Sequence, residues 1–322
     1  MRAFITALIA AALLCACSGN DSISALGKVS SQPQARGLSS TSYSFQVVDD
    51  PVSGVNRVNG IDLFGDIVGS TGSGTASDPY QSYFAQSPYN KFQSESYPGA
   101  QGTVAMAVVS PVSQTIVGGW VLNPPQLPGI WVFVQINGVF TIFRDRKGGR
   151  GPDTASAILG LNDVGFGVGY FKNTDGHDVP VVINIPTEKF TALKPPGFID
   201  AEATGINDFG DIGGWETTSK STVGFFERLG AYYTFAHAKA TATYGLGINS
   251  SDQIVGYYTD TSGANHGFIL TSPKSGQKWQ TIDAPDGANG TFVTGINDHG
   301  AICGYYVDAS HVQHGFVATA KR

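Results

Sequence analysis

The sequence predicts an all-β protein, a six-bladed β-propeller of four-stranded blades closed by a strand from the N-terminus. Three observations predict it. A Gly-Ile-Asn-Asp motif returns along the chain about every 47 residues. Each interval holds four short β-type runs separated by turn residues. The last interval lacks its fourth run, and a matching run stands ahead of the first. Composition agrees: Gly is 42 of 322 residues and charged residues are 14%, too glycine-rich and charge-poor for a helical bundle or coiled coil. A hydrophobic content of 41% is too high for a disordered chain. A net charge of −6 argues against a nucleic-acid partner, which selects a basic surface.

The repeat is clearest in Gly205-Ile206-Asn207-Asp208-Phe209-Gly210 through Gly213-Gly214-Trp215. It returns at Gly247-Ile248-Asn249, Gly295-Ile296-Asn297, Gly160-Leu161-Asn162 and Gly60-Ile61-Asp62. A degenerate second copy keeps its end, Val117-Gly118-Gly119-Trp120, and aligns Ser110 with the leading glycine. In the fifth copy the four runs are Tyr244–Asn249, Gln253–Tyr258, His266–Thr271 and Lys278–Asp283. No interval has the 3.6-residue apolar period of a helical solenoid. The chain's last run, His314–Ala318, is a third strand. The missing fourth is supplied by Phe45-Gln46-Val47-Val48-Asp49-Asp50-Pro51, which matches Trp279-Gln280-Thr281-Ile282-Asp283-Ala284-Pro285. Phe45–Asp49 is therefore predicted as the outer strand of blade six, pairing an edge that would otherwise aggregate.

The leading glycine belongs on the innermost strand, where backbones approach closely. Asn-Asp-x-Gly reads as the hairpin turn into the second strand, ending in residues that tolerate φ > 0. Cys303 aligns with Val68 and Val255 and is expected to be a buried, inert thiol.

Upstream, Met1-Arg2 and the apolar run Ala3–Ala16 read as a secretory signal too short to cross a bilayer. Leu14-Cys15-Ala16-Cys17 resembles a bacterial lipobox, with Cys15 in a slot that usually holds Ala or Ser. It predicts lipidation of Cys17; plain secretion is the alternative. Ser18 after the cysteine implies the outer membrane. Residues 17–41 are Ser-, Gly-, Gln- and Asn-rich and read as a flexible tether, leaving 42–322 as one propeller domain. Only Cys303 remains after processing, so no intramolecular disulfide is expected.

On Gly-Ile-Asn-Asp-x-Gly, Ile254-Val255-Gly256-Tyr257-Tyr258, and His-Gly-Phe at His266 and His314, the chain resembles the bacterial extracellular HAF-type repeat family over roughly residues 44–319. Third-strand His-Gly-Phe is complete only in copies five and six. The resemblance implies export and supplies no catalytic set.

Chemistry is sparse in the sequence. There is no Cys-x-x-Cys and no His-Glu-x-x-His, so neither metal nor cofactor is predicted. Asp208-Phe209-Gly210-Asp211 lacks the alternating ligands of a calcium loop. The basic run Arg144, Arg146, Lys147 and Arg150 is either a solvated loop or a contact for acidic glycan or lipopolysaccharide phosphate. His266 and His314 are expected to anchor their own loops, with a ring of binding histidines as the alternative. Aromatics at Trp120, Tyr170, Trp215, Tyr257 and Tyr305 share one repeat position and are expected to pack between blades rather than stack on sugars. The aromatic stretch Tyr80–Tyr97 offers a further surface for a ligand.

The candidate binding face carries the Arg144–Asp153 loop, Glu216, Asp260 with His266, Asp283–Gly290, and Asp308 with His311 and His314. The Asn-Asp turns lie on the opposite face. The expected function is non-enzymatic binding of a glycan or protein at the bacterial surface, with membrane contact only through the lipid. One alternative is a metal-dependent propeller hydrolase or lyase, with Glu216, Asp260, His266, Asp308 and His314 converging on the axis. Another is a self-assembling structural surface protein.

Overall fold

The computed structural model describes residues 42–51, 53–112, 114–144 and 155–321. Signal, Cys17, tether and most of the Arg144–Asp153 loop lie outside the described residues.

Strand β1 (Tyr43–Val48) is followed by successive antiparallel meanders. The first is β2 (Asn56–Ile61), β3 (Ile67–Thr71), β4 (Gln81–Ala85) and β5 (Gln93–Ser94). The second is β6 (Gly102–Val109), β7 (Ile116–Leu122), β8 (Ile130–Ile136) and β9 (Val139–Phe143). The third is β10 (Ser156–Leu161), β11 (Phe166–Lys172), β12 (Asp178–Asn184) and β13 (Lys189–Ala192). The fourth is β14 (Asp200–Ile206), β15 (Ile212–Thr217), β16 (Thr222–Arg228) and β17 (Ala231–Phe235). The fifth is β18 (Ala240–Ile248), β19 (Ile254–Asp260), β20 (Asn265–Thr271) and β21 (Lys278–Ile282). The last has three strands of its own, β22 (Thr291–Ile296), β23 (Ile302–Val307) and β24 (Gln313–Ala320). Its fourth is β1, paired with β24 from Tyr43↔Ala320 to Val48↔Gly315. A single parallel bridge, Thr222↔Ala242, joins the fourth and fifth meanders.

Every first strand carries a bulge just before the leading small residue, for example between Ala203 and Gly205 and between Val293 and Gly295. In the second meander the bulge lies between Ala105 and Ala107. Ala107, not Ser110, therefore holds the leading position; Ser110 falls three residues on, in the turn. Close approach sets the size limit. A Cβ on Gly60 would stand 2.7 Å from the Met106 carbonyl, and one on Gly160 2.8 Å from that of Thr204.

The cores lie between neighbouring meanders. The residue three before the leading position packs against the repeated aromatic of the preceding meander. Tyr244 meets Trp215 at 5.5 Å and Phe292 meets Tyr257 at 4.9 Å. The aromatics Trp120, Tyr170, Trp215, Tyr257 and Tyr305 are all buried, so they pack rather than present faces to solvent. Cys303 joins Val58, Ile61, Tyr83 and Val317 in a cluster of buried residues, where burial pushes its thiol up to about 12.

Candidate functional site

The Asn of each Asn-Asp turn has two tasks. Its Oδ1 caps its own turn: in Asn249 it accepts from the backbone N–H of Ser251 at 3.1 Å and of Gln253 at 3.0 Å. Its Nδ2 reaches the next meander. Asn162 donates to the Asn207 carbonyl at 3.1 Å, Asn207 to Asn249 at 3.2 Å, Asn249 to Asn297 at 3.1 Å, and Asn297 to Asp62 at 2.8 Å. An aspartate can perform the first task but not the second, because an ionised carboxylate only accepts. Asp62 is such a case, and it accepts instead from the Ser110 hydroxyl. We predict that Asn249→Asp loses about 1–3 kcal/mol, the cost of an unmet buried carbonyl plus a new buried charge. Chemical denaturation measures it, with Asn249→Ser separating loss of the amide from gain of charge.

These turns surround a mouth of about 110 Å³ lined by Asp62, Asp163, Asp208 and Asp298 among others. Burial raises the Asp163 carboxyl above its usual range, helped by the charges of Asp208, Asp62 and Asp298. Burial likewise raises Asp62, against the hydrogen bond from Ser110. Beyond the acidic ring, the loop tips expose apolar side chains: Phe64 at 72%, Val112 at 95%, Val164 at 61% and Phe209 at 75%.

Below the mouth the leading Gly-Ile and Gly-Leu pairs form a throat of about 70 Å³, to which all the first strands contribute. Deeper still is a chamber of about 30 Å³ lined by Asn59, Met106, Leu159, Glu202, Thr204, Leu246 and Thr294. Polar members clamp each meander to its neighbour around the axis. Asn59 Nδ2 donates to Ala105 O at 2.7 Å, Thr204 Oγ1 to Gly245 O at 2.8 Å and Thr294 Oγ1 to Val58 O at 2.7 Å.

The histidines are held elsewhere. His314 Nδ1 lies 2.6 Å from Asp49 Oδ2 and its Nε2 3.6 Å from Asp308 Oδ2. His266 repeats the arrangement, with Nδ1 3.1 Å from Asp283 and Nε2 3.6 Å from Asp260. Tyr306 and Tyr258 stack on the two rings at 5.1 and 5.2 Å. Asp260 and Asp308 also close their own turns. Asp260 accepts from the Ser262 hydroxyl and backbone and from Ala264 N–H, Asp308 from the backbone of Ser310 and Val312. The Ser262 hydroxyl is the main reason that the Asp260 carboxyl falls to about 2. His311 sits beside this loop in the left-handed region at φ 64°, its N–H bonded to Asp308 O. The Arg144 guanidinium lies 4.2 Å over the Trp131 ring. Arg146, Lys147 and Arg150 fall outside the described residues. Glu216 is buried with Oε2 unpartnered among the described residues.

No protein-family model and no curated protein matches the chain. Solved structures do. TolB from Acinetobacter baumannii superposes with a TM-score of 0.51 at 10% identity over 80% of this chain. A mutant of AofleA from Arthrobotrys oligospora gives 0.51 at 14% identity, covering 85% of this chain and 86% of its own. A Trypanosoma rangeli sialidase gives 0.50 at 8% identity over 83% of this chain. The chain spans 64% of the TolB chain and 55% of the sialidase chain, under two thirds of each. TolB and the sialidase are β-propellers, and four-stranded antiparallel meanders make up this chain. The fold is a β-propeller.

The propeller brings together Asp260 with His266, and Asp308 with His311 and His314, but it spends those side chains on holding loops. None of Glu216, Asp260, His266, Asp308 and His314 lines the mouth, throat or chamber. The throat walls are instead the repeat's own Gly-Ile pairs and their counterparts. Among the buried ionisable residues that the sequence reading does not single out are Arg57 and Glu202. They are 6% and 2% exposed, three residues before Gly60 and Gly205, where other copies carry Val104, Ala157, Tyr244 and Phe292. A charge in an otherwise apolar repeat position was the available signal. Arg57 lies 5.7 Å over the Tyr305 ring.

The His314 contact ties the tail of β1 to β24 and is pH-sensitive. Burial opposes the imidazolium, but the Asp49 hydrogen bond and charge, with Asp308, lift its pKa above the ordinary 6.5. Backbone donors, Val312 first, hold Asp308 below the ordinary 3.8. A raised basic pKa contributes stability in full below 6.5 and loses it as pH rises through the folded value. A lowered acidic pKa contributes above 3.8 and fails as pH falls through its folded value. The melting difference between wild type and His314→Ala is therefore expected to be greatest between about pH 4 and 6 and to shrink above neutrality. A difference that grows with pH would refute the ion-pair account.

Proposed function

We propose that this chain is an exported, lipid-anchored, six-bladed β-propeller that binds a protein segment through the Asn-Asp face. The mouth carries the proposal: a ring of carboxylates set inside a crown of exposed Phe64, Val112, Val164 and Phe209. That pattern complements an apolar polypeptide segment presenting one Lys or Arg side chain. Net charge of the same sign around the mouth focuses cations toward it. Six blades follow from six repeat copies. Closure is supported by β1 on β24 and by Thr294 and Asn297 bonded to Val58 and Asp62. The lipobox at Cys17 and the polar stretch to Thr41 supply anchor and tether, and export is what the resemblance to the HAF-type repeat family implies. The throat is lined by glycine and isoleucine pairs, and Glu216, Asp260, His266, Asp308 and His314 do not converge on the axis among the described residues, which favours binding over the hydrolase or lyase that would use them.

The test is fluorescence anisotropy with a peptide panel: apolar peptides centred on Lys or Arg, the same peptides centred on Glu, and fluorescent glycans. Basic peptides are expected to bind. Phe64→Ser/Phe209→Ser is expected to weaken them at least about tenfold, or about 1.4 kcal/mol. Asp163→Asn/Asp208→Asn is expected to do the same and to flatten the salt dependence. Binding of glycans alone, or loss of binding only on Arg144→Ala, would move the site to the other face.

A further inference from the structure

The axial chamber holds a mismatch that the fold leaves uncorrected. Glu202 Oε2 and Asn59 Oδ1 are both buried, at 2% and 3% exposure of their residues, and neither has a hydrogen-bond partner among the described residues. Both residues line the same small cavity, from the fourth and first meanders. Buried polar atoms are nearly always paired, and an unpaired acceptor in a cavity calls for a ligand that donates or is positive. The Thr204 and Thr294 hydroxyls border the same space. Each donates its proton to a backbone carbonyl, so each keeps lone pairs for an incoming ligand. The donor set is thus carboxylate, amide and hydroxyl oxygen, with neither nitrogen nor sulfur. Such a set selects hard cations and disfavours zinc or copper.

Size and charge narrow the choice. A chamber of about 30 Å³ is room for one or two water-sized occupants, each needing roughly 10–15 Å³ on that measure. Burial, helped by the charge of Asp178, raises the Glu202 carboxyl well above the usual carboxylate range; a cation beside it favours the ionised form, and one carboxylate then balances one positive charge. The remaining wall is Met106, Leu159 and Leu246, which offers nothing to a second charge. We infer that the chamber binds one small monovalent cation, sodium, through Glu202, Asn59, Thr204 and Thr294. The acidic mouth lies along the same axis and draws cations toward the throat. The unpartnered indole N–H of Trp215 also approaches Glu202. This site is independent of the peptide-binding proposal, since its residues lie below the throat.

The experiment compares thermal melting of the protein in sodium chloride, calcium chloride and choline chloride at one ionic strength. Choline is too large for the chamber and serves as the baseline. Sodium is expected to raise the melting temperature by about 5 °C at saturation. The rise is expected to vanish in Glu202→Gln, which keeps shape and removes charge, and to be partial in Glu202→Asp. Sodium-23 line broadening is a second readout that does not depend on stability, expected in wild type and absent from Glu202→Gln. Equal melting in all three salts overturns the assignment, as does a calcium-only rise. So does a sodium rise undiminished in Glu202→Gln. If neither variant folds, the wild-type salts and line width still decide.

Discussion

A chain beginning at Ser53, and so lacking β1, is expected to melt at least about 6 °C lower and to aggregate. Six residue pairs join β1 to β24, Val48 is 1% exposed, and the Phe45 ring packs 5.1 Å from Phe316. Full burial of one such aliphatic side chain is worth about 1.5–3 kcal/mol. With the aromatic contact the loss reaches about 3 kcal/mol or more, and each kcal/mol shifts melting by about 2–4 °C in a domain of this size. The bared edge of β24 would then template pairing with other copies. A synthetic peptide of residues 42–51 is expected to restore melting in trans. A truncated chain that melts within about 2 °C of its parent, and stays monomeric by gel filtration, would show that β1 is dispensable.

Two neighbouring glycines give the second prediction. A Cβ on Gly214 would stand 2.2 Å from the Glu202 carbonyl and 2.5 Å from the Phe225 ring. The carbonyl belongs to the paired strand and cannot move aside without breaking the ladder. On Gly213 the nearest atom would be Ile248 Cβ at 3.7 Å, an ordinary contact. Gly214→Ala is expected to cost about 3 kcal/mol, the upper end for overpacking a filled interior. Gly213→Ala should stay within about 0.5 kcal/mol, aided by reduced freedom of the unfolded chain. Denaturant melts of the two variants test this directly, and equal effects would refute the close-approach reading.

The sequence was informative where a feature repeats within one meander. Strand positions in the fifth copy fall within a few residues of those observed; β18 starts earlier, at Ala240, because its extra residues reach the bridge with β16. Cys303 was legible as a core residue because Val68 and Val255 stand at its position. Ala107 was not legible as a leading residue, because a bulge is a property of two paired strands and the second copy keeps no motif to mark it. The site was harder for the same reason. Asn207 reads as a turn former from its own neighbours, whereas its amide acts on Asn249, 42 residues away. Asn59 and Glu202 come to line one cavity only when the first strands gather around one passage. His266 and His314 drew attention as chemical residues, yet their carboxylate partners hold them in place.

The Asn amides form a relay that runs from Asn162 to Asp62 in one direction. It crosses the break in the covalent chain, since Asn297 and Asp62 come from opposite ends. It lapses in the first and second meanders, where Asp62 and Val109 stand in place of the amide. The molecule thus has two seams that do not coincide. Where the polypeptide is interrupted, side-chain amides, β1 and the His314 contact staple the gap. Where the amides are interrupted, the polypeptide itself runs through. Fraying that starts at either seam meets the other fastening before it can spread around the axis.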